Sequence, residues 1–503
     1  RSRQGRESTE ERNMLSRSTK LRRVNSWYRS LSLVSPLFAE DVVLSRGEKD
    51  FQQWVKDQQE LGACTIHPDV IVERSADKGF RLLAKKDIDA GSSLIQLNAS
   101  LYESFSAQSA EKYMMETNPG FHYQVGQFAA SITPQEQQQK NLIGSMCLAV
   151  QFLFSQTQSD LETDHYREQR LAQGGFGPAY ARMLFENTYP WADRMPHALS
   201  IPEDLIAWMN GTGLYRSFSS RRSLYNQLSQ RVLGQEMQVT QLSSVMAIIL
   251  SRAMSGQDSQ GKPLPLGMVP VIDFANHADE PNARHSYSED KALLLEALPS
   301  GGGIAAGSEI CISYGDTRDS ASFLSLYSFL PKPILTQAAG RGAPKHLINP
   351  NDLLGITVSG DSSSTKRRVN LPQAVIFASL SLLEDAKESG GDRAVVKMFE
   401  GLLAGYLPNV DGAGATSVSA AIDRLDPFIH ALELEEKRRD DLHRRERPEG
   451  ALEPLYLAKC RSENEKIFLS MCEEVLESER AAIKALLGCC QTYRAAYTRL
   501  SAQ

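Results

Sequence analysis

The sequence contains no run of about 18 apolar residues, the length a helix needs to cross a bilayer, so no membrane-spanning helix is expected among its 503 residues. It also lacks any C-x-x-C pair. Cys64, Cys147, Cys311, Cys460, Cys472, Cys489 and Cys490 are odd in number and scattered, which supports neither a zinc site nor a disulfide framework. The neighbours Cys489 and Cys490 read as two thiols near a helix end rather than as a vicinal disulfide. An intracellular, reducing compartment, plastid or cytoplasm, is the expectation. There is no basic excess: the formal net charge is −6, so no overall field calls for nucleic acid or an anionic membrane surface. No internal repeat is visible. At 41% hydrophobic and 23% charged residues the chain is composed like an ordinary globular protein, long enough for about two to four domains.

The chain opens on Arg1 rather than Met, which points to a fragment or a processed form. Residues 1–36 are rich in arginine (Arg1, Arg3, Arg6, Arg12, Arg17, Arg22, Arg23, Arg29) and carry few acids (Glu7, Glu10, Glu11). That composition fits the remnant of an organellar transit peptide and equally a disordered basic tail. The first 45 residues or so read as disordered. A helix is expected over about 47–62, then short strands over 66–98, with Phe80 to Ala84 and Ser93 to Leu97 the clearest. From about 105 to 255 the spacing turns helical and ends in an apolar helix over 241–254. Strands return over 268–272, 292–298 and 309–313, with the turn Gly301-Gly302-Gly303 between the last two. Residues 337–345 and 359–368 read as linkers. Beyond them the pattern is helical, over 374–386, 395–406 and 452–490. The charge run Glu435 to Asp441 reads as a solvated helix face.

Chemistry concentrates in Val269-Pro270-Val271-Ile272-Asp273-Phe274-Ala275-Asn276-His277. An apolar strand here runs into an acid, an amide and an imidazole, and polar groups at the end of a rigid strand can converge on a ligand. Further on, Glu309-Ile310-Cys311-Ile312-Ser313-Tyr314-Gly315 is a strand that ends by presenting a phenol before a glycine turn. Read alone, the first piece fits a capped turn around a satisfied histidine, and the second fits a structural tyrosine. A hydrolase built on His277 with Ser313 or Asp273 lacks the G-x-S-x-G elbow such chemistry uses.

Taken together and in this order, the pieces resemble the SET-domain protein methyltransferases. The branch they resemble is that of the Rubisco large-subunit lysine methyltransferases, which also contains the actin histidine methyltransferases. The matching residues are Lys78-Gly79-Phe80-Arg81, Ser251-Arg252-Ala253-Met254, Asp273 with Asn276-His277, Ile312-Ser313-Tyr314-Gly315, Ser320-Ala321 and Tyr327-Ser328-Phe329. Tyr189-Pro190-Trp191 through Gly211 resembles the branch's insert. Asn349-Pro350-Asn351-Asp352 and Ser462 to Glu465 resemble its helical C-terminal domain. The resemblance covers about residues 50–490. It implies an α+β fold: a β-rich SET domain over 46–335, split by a helical insert over about 105–255, followed by an all-α substrate-binding domain over 346–495. It also implies that the Asp273 to His277 segment lies threaded beneath the turn that follows the Tyr314 strand.

The activity the resemblance implies is methylation of a lysine on a non-histone protein, with S-adenosylmethionine as cofactor. Within the same resemblance a histidine acceptor, or a binding module without turnover, stand as alternatives. Gly79, Phe80, Arg252, Asn276, His277, Tyr314 and Tyr327 would hold the cofactor, with Arg252 on its carboxylate. Tyr314 would be the catalytic residue. Ser251, Asp273 and Tyr287 would contact the substrate, with Tyr327 and Tyr287 completing an aromatic wall. Asp273 would steer the incoming amine or fix the turn. The partner implied is a protein substrate, with no nucleic acid and no membrane. This chain departs from the branch at four places: Arg81 stands for its second glycine, Met254 for Phe, Ser320 for Asn and Ser328 for Gly. There is no C-terminal cysteine cluster of the zinc-binding kind, and the branch has none either.

Overall fold

The computed structural model describes residues 37–38, 44–75, 79–157, 178–188, 197–199, 201–210, 212–233, 239–254, 266–288, 292–315, 319–330, 352–359, 366–402, 418–446 and 454–503. The Arg-rich segment 1–36, Lys78, Tyr189 to Trp191, Gly211, 337–345 and Asn349 to Asn351 lie outside the described residues. Among the described residues no helix is long and apolar enough to cross a membrane.

Helix α1 (Arg46–Glu60) opens on a reciprocal cap. The Ser45 hydroxyl accepts from the Glu48 amide, while the Glu48 carboxylate accepts from the Ser45 amide at 2.6 Å. Two amides with no partner inside the helix are satisfied this way. The buried face of α1 presents Phe51, Trp54 and Val55. Strands follow: β1 (Cys64–Ile66), β2 (Val70–Ser75), β3 (Gly79–Ala84) and β4 (Ser93–Leu97). Phe80, Leu82 and Ala84 alternate inward along β3, the period of a half-buried strand. The helical stretch comprises α2 (Ala107–Thr117), α3 (Pro119–Ile132), α4 (Glu136–Thr157), α5 (Pro178–Thr188), α6 (Gly213–Leu228) and α7 (Val239–Arg252).

The chain then returns to the sheets through β5 (Asn276–His277), β6 (Ala283–Tyr287), β7 (Leu293–Ala297) and β8 (Glu309–Ile312). One sheet has the order β1-β4-β7-β6 and a second the order β2-β3-β8-β5. All their pairings are antiparallel except β5 with β8, which run parallel. A parallel pair needs a long crossover, and β6 and β7 lie within it.

Two expectations are corrected here. Residues 268–272 do not form a strand. The chain passes Pro270, takes a left-handed turn at Val271 (φ 70°) and enters a single 3-10 turn over Ile272–Phe274. Met268, Val269, Val271, Ile272 and Phe274 are all buried, and a short continuous apolar run does not by itself declare its secondary structure. Residues 366–368, read as the end of a linker, belong to a strand. Strand β9 (Leu353–Ser359) pairs antiparallel with β10 (Lys366–Pro372), from Leu353 with Pro372 to Ser359 with Lys366. The part beyond 352 is therefore helical with a two-stranded ribbon, not helical throughout.

After α8 (Ser320–Tyr327) come α9 (Gln373–Ser389), α10 (Gly391–Leu402), α11 (Val418–Glu446) and α12 (Glu463–Ser501). The 39 residues of α12 span roughly 58 Å at 1.5 Å each. The first half packs Phe468, Leu469 and Cys472 with Phe218 of α6 and Leu324 of α8. The second half packs Ile483, Leu486 and Tyr493 with Phe377, Phe428 and Leu432. Helix α12 thus ties the C-terminal part to the helix that carries Tyr327. The run Glu435 to Asp441 is only partly solvated. Arg439, with a side chain 7% exposed, lies 3.2 Å from Glu435 and 2.5 Å from Glu479 of α12, and Arg480 lies 2.7 Å from Asp440. The pairs Arg439–Glu479 and Arg480–Asp440 cross the seam between α11 and α12.

The glycine turn before β8 is set by sterics. Gly303 has φ +96°, and a Cβ there would lie 2.5 Å from the Ile88 carbonyl oxygen, beside the Ile88–Ile304 bridge. Gly307 also has positive φ (+76°) but open space around it. Gly303→Ala is expected to cost about 3 kcal/mol, combining a left-handed penalty with overpacking. Gly307→Ala is expected to cost about 1–2 kcal/mol from the backbone alone. Urea unfolding of the two variants measures the difference.

Candidate active site

The loop from Val269 to His277 is anchored from behind by rings. Phe274 packs 5.1 Å from Phe80 and 5.9 Å from Phe51, and Phe51 lies 5.5 Å from Tyr180 of α5. Ahead of the rings, β5 docks on β8 with Asn276 opposite Cys311 and His277 opposite Ile312. Asn282 holds β8 from the side: its amide donates to the Glu309 carbonyl and its oxygen accepts from the Cys311 amide, both at 2.8 Å.

Tyr314 follows β8 and is held at two points. Its amide donates to His277 Nδ1 at 3.2 Å, and its hydroxyl donates to the Ala275 carbonyl at 3.1 Å. Accepting at Nδ1 leaves the proton of the neutral imidazole on Nε2, which lies 3.3 Å from Asp279. The His277 ring is enclosed by Phe323 at 5.1 Å, Tyr314 at 5.4 Å and Phe329 at 5.8 Å. Burial raises the Tyr314 phenol well above its ordinary range, so it stays neutral. Gly315 then turns the chain at φ 120°.

Tyr314 faces a cavity of about 190 Å³ whose lining includes Ser251, Arg252, Met254, Asp273, His285 and Tyr327. The Tyr327 ring lies 4.7 Å from that of Tyr314. Arg252 ends α7; its Nη1 donates to the Asp273 carbonyl at 3.0 Å and its guanidinium sits 5.5 Å from the centre of the Phe274 ring. Its buried Nε has no hydrogen-bond partner among the described residues. Asp273 accepts a hydrogen bond from the Tyr180 hydroxyl on Oδ2, while its buried Oδ1 has none among the described residues. Burial pushes this carboxyl up to about 7, against the pull of Arg252 and Tyr180. The Ser251 hydroxyl bonds back to the Ile248 carbonyl at 3.0 Å.

The sequence-derived candidates divide. Ser251, Arg252, Asp273, Tyr314 and Tyr327 meet around this cavity; Asn276 and His277 do not line it. The Asn276 amide nitrogen donates to Glu309 Oε1 at 2.8 Å and to the Phe80 carbonyl at 3.3 Å. Gly79 begins β3 at φ +74° with open space around it, a conformation that favours glycine.

Two candidates do something else. The Phe80 ring is 2% exposed and packs into the core on Phe274, because β3 alternates and position 80 falls on its inner face. Only its carbonyl reaches Asn276. Tyr287 does not reach the cavity; it packs edge-on to Tyr102 at 5.7 Å, and His285, two residues earlier on β6, lines the wall instead. That offset is about 7 Å along a strand. His285, Tyr180 and Asn282 were not among the candidates. Strand alternation from Tyr287 is the signal that would have found His285; nothing in the sequence marks Tyr180.

The departures from the family pattern have local reasons. Arg81 lies opposite Glu73 in the β2–β3 pair and its Nε donates to that carboxylate at 2.6 Å. The Ser320 amide and hydroxyl both donate to Asp352, at 2.6 and 2.9 Å, tying α8 to the start of β9. Ser328 caps α8 at φ 63°, and its buried hydroxyl has no partner among the described residues. Just before it, His197 Nε2 donates to the Leu326 carbonyl at 3.2 Å while Nδ1 accepts from the Leu199 amide at 3.1 Å. Burial pushes this imidazole down to about 4, so it remains a neutral strut beside Tyr327.

No family model matches the chain. The SET domain-containing protein 8 of Schizosaccharomyces pombe is 41% identical over 66 residues, which are 13% of this chain and 14% of that protein. Among solved structures, the SET domain of LSMT bound to lysine and AdoHcy superposes with a TM-score of 0.52 at 12% identity, over 90% of this chain and 93% of that one. Rubisco LSMT bound to AdoMet gives 0.50 at 13% identity over the same shares. The chain has the fold of these SET-domain structures.

Two outcomes are expected. Ser328→Gly should stabilise the protein by about 1 kcal/mol, since the left-handed penalty outweighs the added unfolded-chain entropy; thermal or urea unfolding measures it. Asp273 has a folded pKa of about 7, above the ordinary 3.8, so its contribution is present in acid and lost as pH rises between those values. Asp273→Asn removes that loss and keeps an acceptor for Tyr180. Its stability advantage over wild type should therefore be larger at pH 8 than at pH 5, by on the order of a few kcal/mol.

Proposed function

We propose that the protein transfers the methyl group of S-adenosylmethionine to a lysine side chain of a non-histone protein. The observation that carries this reading is Tyr314: a neutral phenol fixed through its amide by His277 and through its hydroxyl by Ala275, facing a cavity that Arg252, Asp273 and Tyr327 also line. The motif resemblance and the shared fold support it. The SET domain of LSMT with that fold is bound to lysine and AdoHcy.

The residues present fit the cofactor. The buried Arg252 Nε lacks a partner among the described residues, and a carboxylate beside it would complete the guanidinium's donor set. Asn276 spends its nitrogen on Glu309 and Phe80, leaving its oxygen to accept from an ammonium. The open, positive-φ backbone at Gly79 leaves room at the start of β3. Bound S-adenosylmethionine supplies an electrophilic methyl group on a sulfonium.

The chain's own residues do the positioning. Tyr314 and Tyr327, with rings 4.7 Å apart, present aromatic faces to which an alkylated ammonium is attracted. The Tyr314 oxygen and nearby carbonyls can receive polarised C–H groups, each contact worth about 0.5–1 kcal/mol. A lysine amine attacks only when neutral, and its free pKa is about 10.4. The apolar wall of Ala253, Met254 and Leu266 favours the uncharged amine. Asp273 Oδ1 is available to accept an N–H from it. We place this activity in a reducing compartment, the reading that seven scattered cysteines, five of them buried, favour over a secreted disulfide framework.

Tyr314→Phe loses the tie to Ala275, and misplacement at a reacting centre costs about a hundredfold. The variant should transfer tritium from methyl-labelled cofactor to lysate proteins at about one hundredth of the wild-type rate, with calorimetric cofactor affinity little changed. Wild-type protein that labels no protein in any lysate would overturn the reading. Mass spectrometry of the labelled peptide identifies the acceptor, and a methylated histidine would replace lysine in it.

A further inference from the structure

His285 is the one residue of the cavity wall that brings an imidazole, and no motif drew attention to it. It sits on β6 opposite Leu295 of β7. Its sequence neighbour Arg284 points to the other face of the sheet, toward Glu296 at 3.7 Å. Among the described residues no hydrogen bond engages either ring nitrogen of His285. The other enclosed imidazoles are engaged: His197 through both nitrogens, His277 through Nδ1. Among the described residues, a polar ring thus sits on this wall with its hydrogen-bonding capacity unspent.

We propose that His285 is a substrate-binding residue that accepts a hydrogen bond from the incoming ammonium, sharing it with Asp273, so that the cavity is built for a lysine amine. The proposal rests on the methyl-transfer reading and adds a residue and an acceptor class to it. Burial holds the His285 imidazole below its ordinary range, so at neutral pH the ring is uncharged and one nitrogen is an acceptor. The groups it meets across the cavity are Arg252 of α7, the Asp273 carboxyl of the 3-10 turn, and the phenols of Tyr314 and Tyr327; Leu295 opposite it on β7 is apolar. Two acceptors, on β6 and on the 3-10 turn, can each take one of the three N–H donors of an ammonium. A neutral imidazole substrate has one N–H to give and would leave one of the two acceptors unmatched.

The test uses free L-lysine as the probe and the full chain saturated with S-adenosylhomocysteine. Calorimetry should show lysine binding to wild type at least about tenfold more tightly than to His285→Phe, the loss expected for a hydrogen bond to a charged group. His285→Gln keeps a carbonyl acceptor and should retain most of the affinity. All three should bind S-adenosylhomocysteine alike. In wild-type protein with labelled histidines, the His285 ring resonances should move on addition of lysine, a readout that does not depend on any variant folding. Equal lysine affinity across the three proteins, or ring resonances that do not move, overturns the role of His285 and leaves the methyl-transfer reading standing. Wild-type protein that fails to bind S-adenosylhomocysteine overturns that reading and this one with it.

Discussion

The site depends on one imidazole. His277 Nδ1 accepts the Tyr314 amide at 3.2 Å, and this bond extends the two-residue parallel pair of β5 and β8 by one step. Without it the backbone of Tyr314, just past the end of β8 and before its glycine, would lose one of its anchors. With it, the backbone of Tyr314 is fixed to the segment that also supplies Asp273 and Ala275. The hydroxyl then returns to the Ala275 carbonyl, so the phenol spans the same segment from both ends. The enclosing rings of Phe323 and Phe329 hold the imidazole plane and keep water from competing for Nδ1.

That lock has consequences at a distance. Phe323 and Tyr327 belong to α8, whose start is held by Asp352 on the Ser320 amide and hydroxyl and whose end is held by His197 on Leu326. Leu324 of the same helix packs in the cluster with Phe468 and Leu469 of α12. The C-terminal part is therefore mechanically continuous with the aromatic wall. Asp352 is itself pushed up to about 6 by burial, against the hydrogen bonds from Ser320, so, as with Asp273, its contribution to stability is lost as pH rises from about 4 toward neutrality. Asp273 at the cavity and Asp352 at the start of α8 are both held against their own desolvation.

Much of this was legible in the sequence where local pattern and tertiary role agree. The limits of β4, the alternation of β3 and the apolar face of α7 follow from spacing alone, and the D-x-x-N-H and I-S-Y-G segments, singled out together, lie side by side as β5 and β8. The failures have physical causes. Val269 to Phe274 is apolar at nearly every position because it is buried on all sides, so periodicity could not separate a strand from the turn that Pro270 and left-handed Val271 impose. Lys366 to Arg368 looked like a linker because a two-stranded ribbon tolerates charge. Arg439 looked solvated because its partner Glu479 lies 40 positions away. Tyr287 was taken for the cavity and His285 passed over because a strand's register is set by its partners, here Leu293 and Leu295 on β7. Ser328 stands where the branch has glycine, and the helix cap keeps its left-handed conformation with serine in place.

The central claim is that His277 fixes Tyr314 through its amide. Hydrogen exchange at the Tyr314 amide tests it, comparing wild type with His277→Phe, which keeps an aromatic volume among Phe323 and Phe329 but offers no acceptor. The account predicts a slowly exchanging Tyr314 amide in the wild type and loss of that protection in the variant, while the Cys311 amide, held by Asn282, stays protected in both. Equal protection of the Tyr314 amide in the two proteins would contradict it.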